Sequence, residues 1–368
     1  MKKVVILFFL WWVIVNIFAL LSLNRFNLKA DNAYIWINPT EFYQEQKWDL
    51  ISIHARWDSF WYLDIAKNGY SLKGPEKLSN IVFFPLYPFL IRIFSIFTNG
   101  NLILTGWILS SLFLLLSLLY FFKLVKEFHP EINPYLPIVF LLIFPTSFFL
   151  NAVYTESLFL FLSLASFYYA LKRRFLLANV FGFFGSLTRV SGAILFIPLF
   201  WEYLKSLNFK ISRLFNLKTL YFSLIPLGTI SFFLFHYLKF HDFFLFFKVE
   251  SWWGRMFKFN KDHFLLFSNP AIVNLCLDIF FVMFAFVVLY FVFIRLSASY
   301  GLYMLFTLII ILSTGTLMSV GRYILVLFPI YIFLASIKNQ FILFGWTLTS
   351  ILLLSMYITL FVNNYWAG

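Results

Sequence analysis

The chain is 368 residues long, 62% hydrophobic and only 12% charged, with a mean hydropathy of +0.88. That balance excludes a soluble globular domain and implies an all-α polytopic membrane protein. The formal net charge of +13 does not point to nucleic acid, because the basic residues fall in short loops between apolar runs, where they report topology.

From the N-terminus, Lys2-Lys3 precede an apolar run from Val4 to Leu23. The run is long and no A-x-A cleavage site follows it, so it reads as an uncleaved signal anchor. A helix needs about 20 apolar residues to span a bilayer. The expected spans are 4–23, 101–122, 135–151, 156–171, 175–189, 190–204, 219–238, 273–294, 299–318, 322–337 and 341–362, a bundle of about 10–11 transmembrane helices. Residues 81–98 are also apolar but carry Pro85, Pro88 and Arg92.

Short basic loops stay in the cytoplasm. Lys2 and Lys3 put the N-terminus inside. Lys123 and Lys126, the run Lys172-Arg173-Arg174 and the group Lys205, Lys210, Arg213 and Lys218 all favour the inside. They are satisfied together if 81–98 lies at the outer surface without crossing and if 175–204 crosses twice. The outer segments are then a first loop over 24–100, with interfacial helices, and a second over 240–272. No repeat, low-complexity tract or linker marks a further domain, so residues 1–368 read as one membrane domain. No P-loop or Rossmann fingerprint is present. Cys276, the only cysteine, cannot form an intrachain disulfide, and the five histidines show no metal-ligand spacing.

With this topology the residues that could carry chemistry share one side. Asp58 lies in Arg56-Trp57-Asp58-Ser59-Phe60-Trp61-Tyr62, at the start of a short helical pattern stopped by Asn68-Gly69. Taken alone it reads as an N-cap. Held near the membrane surface among Trp57 and Trp61, a carboxylate can instead serve as general base. Asp64 falls on another face and reads as solvated or bonded to a loop, with a role as second acid open. Glu156, in Tyr154-Thr155-Glu156-Ser157, reads equally as a helix N-terminal acid and as a functional carboxylate at the outer mouth of a span. Arg189 and Arg322 lie at span ends with no cluster of loop charges to explain them. Each can snorkel, and each offers a fork of donors that matches phosphate. In Lys248-Val249-Glu250-Ser251-Trp252-Trp253-Gly254-Arg255 the tryptophans read as interfacial belt before sugar stacking.

A base carboxylate, a second acid and two arginines on the outer face fit glycosyl transfer from a lipid-phosphate sugar. The polyprenyl phosphate leaves as a stable anion and needs cations, not a general acid. The acceptor hydroxyl needs a base, and direct displacement inverts the anomeric centre.

Arg56-Trp57-Asp58-Ser59-Phe60-Trp61-Tyr62, with Ile65-Ala66 and Gly69-Tyr70, resembles the signature of the phosphatidylinositol-glycan class V (PIG-V) mannosyltransferases and their prokaryotic relatives. Phe83-Phe84-Pro85-Leu86-Tyr87-Pro88, Tyr154-Thr155-Glu156-Ser157-Leu158-Phe159, Leu187-Thr188-Arg189 and Gly321-Arg322-Tyr323 with Phe328-Pro329 follow the same pattern in order. The resemblance implies a GT-C-type membrane bundle and a polyprenyl- or dolichyl-phosphate sugar donor. It implies mannose as the sugar, and an acidic residue in the first outer loop that Asp58 matches. Glu156 resembles the second acidic position of some GT-C enzymes. Asp58 and Glu156 are thus the expected catalytic pair, with Arg56, Trp57, Trp61, Tyr154, Arg189 and Arg322 as substrate-binding residues. The expected partners are the lipid-phosphate donor, membrane lipid and a glycolipid, protein or polysaccharide acceptor. No cofactor is implied with certainty; a divalent cation stays open, because carboxylates alone do not distinguish base from ligand. The expected location is the plasma membrane of a prokaryote or the endoplasmic reticulum of a eukaryote, with an extracytoplasmic site.

The principal alternative is a lipid or sugar transporter or flippase. Such proteins place ionisable groups near the bilayer midplane and often show inverted repeats. A non-catalytic scaffold is the second. Separation of Asp58, Glu156, Arg189 and Arg322 by more than about 15–20 Å, beyond the reach of one sugar phosphate, would favour either.

Overall fold

The computed structural model describes residues 1–26, 49–75, 77–214, 216–255 and 271–367, and the regular elements among them are all helical. The expected outer loops at 24–100 and 240–272 fall partly on residues 27–48 and 256–270, outside the described residues.

Helix α1 (Lys2–Arg25) turns Val4, Phe8, Trp11, Val15 and Ala19 inward at helical spacing. Its other face, with Phe9, Leu10, Val13, Ile14 and Ile17, is equally apolar and exposed. A helix apolar all round suits lipid on its outer face. The short helices α2 (Ser59–Asn68) and α3 (Leu86–Phe94) follow, and a 3₁₀ turn, Ser95–Thr98, extends α3. The stretch 86–98 rises about 20 Å at 1.5 Å per residue, short of a ~30 Å hydrocarbon core. Helix α4 (Leu102–Phe128) starts where the Asn101 side chain accepts from the Leu104 amide. Next come α5 (Leu136–Leu142), α6 (Glu156–Leu171), α7 (Phe175–Ser186), a 3₁₀ stretch Val190–Leu195 and α8 (Phe196–Ser206). The chain ends with α9 (Leu217–Phe240), α10 (Leu245–Trp252), α11 (Ala271–Arg295), α12 (Ala298–Ser313), α13 (Val320–Leu325), α14 (Pro329–Ser336) and α15 (Gln340–Val362).

Five of these helices, α1, α4, α9, α11 and α15, are long and apolar enough to cross a membrane, which marks a membrane protein. The other expected spans are shorter or broken. Helices α6 and α12 have 16 residues each and α7 has 12. The run 135–151 splits because Pro145 cannot continue a helix; it resumes as a 3₁₀ turn, Ser147–Asn151. The run 322–337 splits at Pro329, which opens α14.

A break inside an apolar bundle frees carbonyls that no water can reach, and neighbouring hydroxyls must satisfy them. The Tyr303 hydroxyl donates to the Val326 carbonyl at 3.2 Å, Tyr331 to Leu325 at 2.7 Å and Thr146 to Gly321 at 3.0 Å. Helix α4 packs along α6, α6 along α7 and α7 along α9, while α11 packs on α12, α13 and α14. The start of α2, the start of α6, the end of α7 and the short α13 thereby meet at one place.

The end of α7 depends on one close approach. A Cβ on Gly192 would stand 2.1 Å from the Gly185 carbonyl oxygen, so the 3₁₀ stretch passes this tightly only with glycine there. Gly192→Ala should lower stability by about 1–3 kcal/mol or more through backbone displacement. Thermal unfolding of the detergent-solubilised protein measures this; a melting temperature equal to that of wild type contradicts it.

Candidate active site

The turn that delivers Asp58 is strained. Trp57 sits in the left-handed region at φ 53°, which costs a residue with a Cβ about 1–2 kcal/mol. Its surroundings hold it there. The buried Arg56 guanidinium donates to the Ser52, Ala55 and Val362 carbonyls. The Trp57 indole N–H donates to the Tyr365 carbonyl at 3.1 Å, and its ring meets Trp366 edge-on. Arg56 and Trp57 therefore tie the turn to the end of α15 and do not line the cleft next to Asp58.

Asp58 immediately precedes α2, yet its side chain makes no capping hydrogen bond. Oδ2 instead accepts from Arg322 Nη1 at 2.7 Å. Glu156 likewise opens α6 without a cap and is 1% exposed. Its Oε1 lies 3.2 Å from Arg322 Nε, close enough for an ion pair but not aligned for a hydrogen bond, and 3.6 Å from Arg189 Nη2. The four residues singled out in the sequence, Asp58, Glu156, Arg189 and Arg322, thus form one buried chain of alternating charge. Arg322 follows Ser319, a second left-handed residue, at φ 66°.

Aromatic faces support both arginines. Arg322 lies over Tyr154 at 5.1 Å and Phe149 at 5.5 Å, and Arg189 over Tyr323 at 4.8 Å and Phe159 at 5.6 Å. Such contacts favour a cation out of water. Tyr154 is therefore a support beneath Arg322, and its hydroxyl donates to the Arg56 carbonyl at 3.0 Å. Trp61 stands behind the wall, stacked on Phe83 and edge-on to Trp253.

The cleft above this chain has about 580 Å³ of empty space including its open mouth, and Asp58, Tyr62, Arg189, Arg255, Arg322 and Tyr323 line it. Arg255 and Tyr62 were not among the residues the sequence argument selected. Tyr62 follows Asp58 by one helical turn, so the i, i+4 spacing was a usable signal. Burial, with the charges of Glu156 and Asp58, raises its phenol above the ordinary range and keeps it a proton donor. Arg255 arrives from a segment 197 residues after Asp58 in the numbering, and only its place among the tryptophans marked it. Its Nη1 lies 3.8 Å from Glu250 Oε2. Burial raises the Glu250 pKa, Arg255 opposes the shift and the Asp58 charge adds to it.

Among the described residues, three buried polar atoms of these four side chains have no hydrogen-bond partner: Arg189 Nη1, Glu156 Oε2 and Arg322 Nε, the last facing Glu156 Oε1. Among the described residues no group of three or more His, Cys, Asp or Glu is placed to hold a metal ion. Arg322 already stands between the two carboxylates. Comparison with models of known protein families finds no match, and neither does comparison with curated proteins.

Arg322→Leu should cost about 3–5 kcal/mol, because it leaves two buried carboxylates with one partner between them. Unfolding midpoints in detergent would test this, and a loss below about 1 kcal/mol would contradict the shared ion pair.

A pH dependence follows from His54, whose ring stacks on Trp107 at 4.2 Å. Burial, then the Arg56 charge, lowers its pKa from 6.5 to about 3, against the pull of the Asn151 carbonyl. The folded protein therefore binds this proton less readily than the unfolded chain. The contribution of neutral His54 is complete above pH 6.5 and declines below it, by on the order of 1 kcal/mol per pH unit, until about pH 3. Unfolding followed from pH 7 to 4 should show a shallower decline in His54→Gln than in wild type; parallel curves refute the assignment.

Proposed function

We propose that this protein is a multi-pass membrane glycosyltransferase. It transfers a sugar from a polyprenyl- or dolichyl-phosphate donor to an acceptor hydroxyl on the extracytoplasmic face, with inversion and with Asp58 as base. Mannose is the sugar that the resemblance to the PIG-V mannosyltransferases suggests. The observation that carries the reading is the bridging of Asp58 and Glu156 by Arg322 at the floor of a cleft that Arg189 and Arg255 also line.

The arrangement divides the labour. Arg322 fixes Asp58 through Oδ2, while Oδ1 accepts no hydrogen bond among the described residues and is left for an acceptor hydroxyl. In the step proposed, the acceptor oxygen attacks the anomeric carbon as its proton passes to Asp58 Oδ1. The bond from that carbon to the phosphate oxygen breaks, and the electron pair leaves with the lipid phosphate. Arg322 is committed to two carboxylates. Arg189, with a buried Nη1 that has no partner among the described residues, and Arg255 are the cations with donors to spare for the phosphate. We read the short basic loops as cytoplasmic, so that the cleft faces outward within a bundle of about 10–11 crossings. A glycolipid, protein or polysaccharide hydroxyl fits the role of acceptor. Convergence of Asp58, Glu156, Arg189 and Arg322 at one site weighs against a scaffold, and the lack of a sequence repeat, with these charges grouped at one face, weighs against a transporter.

Transfer of labelled mannose from polyprenyl-phosphate mannose into membrane lipid or protein tests the reading. Asp58→Asn, at matched expression and folding, should reduce transfer by about 10²–10⁴-fold. Full activity in that variant would reduce Asp58 to a structural residue, and no transfer by wild type would remove mannose donation.

A further inference from the structure

Asp64 lies on α2 six residues beyond Asp58, is 8% exposed and does not line the cleft. Both of its oxygens are engaged. Oδ1 accepts from Asn68 Nδ2 at 2.9 Å and Oδ2 from Asn80 Nδ2 at 2.7 Å. Among the described residues it accepts only from these two neutral amides and no cation pairs with it, an expensive setting for a buried carboxylate if its sole purpose is to close a loop.

Asn80 has no exposed surface and works in both directions. Its Nδ2 also donates to the Gly69 carbonyl, and its Oδ1 accepts from the Ser71 amide at 2.9 Å. The neighbouring Ser79 accepts the Lys73 amide on Oγ, so residues 69–73 close onto 79–80 and, through Asn80, onto α2. This closed loop is the seat for α10. The Ser79 carbonyl accepts the Trp253 indole N–H at 3.2 Å. Ile81, the residue after Asn80, buries itself against Leu245 and Val249 of α10. Two residues past Trp253 comes Arg255, facing the cleft. The path from Asp64 to Arg255 thus runs through hydrogen bonds and one apolar seat, with no contact between the two residues.

We propose that Asp64 is a positioning residue: through Asn80 and the loop it shapes, it docks the α10 arm so that Arg255 faces the anionic end of the ligand. The kinetic part of this proposal rests on the transferase reading; the docking part does not. Asp64 sets where the second cation stands, while Asp58, at the N-terminus of the same helix, is the base. One helix then fixes both ends of the cleft.

Three variants test it: Asp64→Leu, which removes both acceptors; Asn80→Ala, which removes the link if the first variant does not fold; and Asp64→Asn, which keeps one amide oxygen to accept from Asn80 while its amide group faces Asn68. Amide hydrogen exchange over 245–252 in detergent reads the docking. The expected result is exchange at least about tenfold faster in Asp64→Leu and in Asn80→Ala, and within about threefold of wild type in Asp64→Asn. With polyprenyl-phosphate mannose as donor, KM should rise at least about tenfold in Asp64→Leu and Asn80→Ala while kcat stays within about threefold. Combining Asp64→Leu with Arg255→Ala should be no worse than Arg255→Ala alone. Unchanged exchange over 245–252 in Asp64→Leu and Asn80→Ala, or exchange in Asp64→Asn as fast as in those two, overturns the docking. Faster exchange with an unchanged KM overturns the role in ligand binding. Absence of transfer by wild type refutes the transferase reading instead, and the exchange data still decide the docking.

Discussion

The organisation of the cleft depends on one guanidinium shared by two buried acids. Asp58 and Glu156 open different helices, and with Arg322 absent Asp58 would lose its cation and Glu156 would keep only Arg189 at 3.6 Å, in an apolar interior. Arginine suits the task better than lysine because its planar fork presents Nη1 to one carboxylate and Nε to the other while it stays charged at any working pH. The same commitment limits it. A cation held on two sides by carboxylates has little left for a ligand, so the arginine most central to the site is its keystone, and the freer arginines stand at its edge.

Holding Arg322 there is a matter of backbone. It sits on α13, a helix of six residues entered through a left-handed serine and left through the break before Pro329. A continuous helix over 322–337 would hide its carbonyls in its own ladder and keep Arg322 in a fixed register with the residues after it. The break uncouples them, and Tyr303, Tyr331 and Thr146 take the carbonyls that the break and the short helix present. The strain at Trp57 is balanced in the same way, by Arg56 and the end of α15. At both ends of the Asp58–Arg322 contact, an unfavourable local conformation is maintained by hydrogen bonds from distant parts of the chain.

This division explains what could be read from the sequence. The five long helices are continuous apolar runs, and such a run reports its own environment. Asp58, Glu156, Arg189 and Arg322 were visible for a related reason: each is an ionisable residue beside apolar sequence, where charge is expensive unless it is paired. Their pairing was not visible, since nothing local says that residue 58 meets residue 322. The broken spans at 135–151 and 322–337 were legible only as apolar stretches, although Pro145 and Pro329 carried the signal that they break. Arg56, Trp57, Trp61 and Tyr154 stood out by residue type, yet they stand behind the lining, because in a crowded aromatic motif type does not reveal which side chains face inward. Arg255 was the opposite case: a lining residue in a loop whose tryptophans read more simply as interfacial belt.

The charge pattern also bears on how an anion could enter. Six ionisable groups gather around the cleft, three carboxylates (Asp58, Glu156 and Glu250) and three guanidiniums (Arg189, Arg255 and Arg322), so no large uncompensated field draws a ligand in. Discrimination must come from which pairs can be exchanged. The Asp58–Arg322 contact is short and buried, and breaking it would strand both charges. The Glu250–Arg255 contact is longer, at 3.8 Å, and burial raises the Glu250 pKa, which brings its neutral form closer to reach. An arriving anion can take Arg255 from Glu250 at lower cost than it can take Arg322 from Asp58. The floor of the cleft then stays fixed while its rim exchanges partners, and Asp58 keeps its position whether or not an anion is bound.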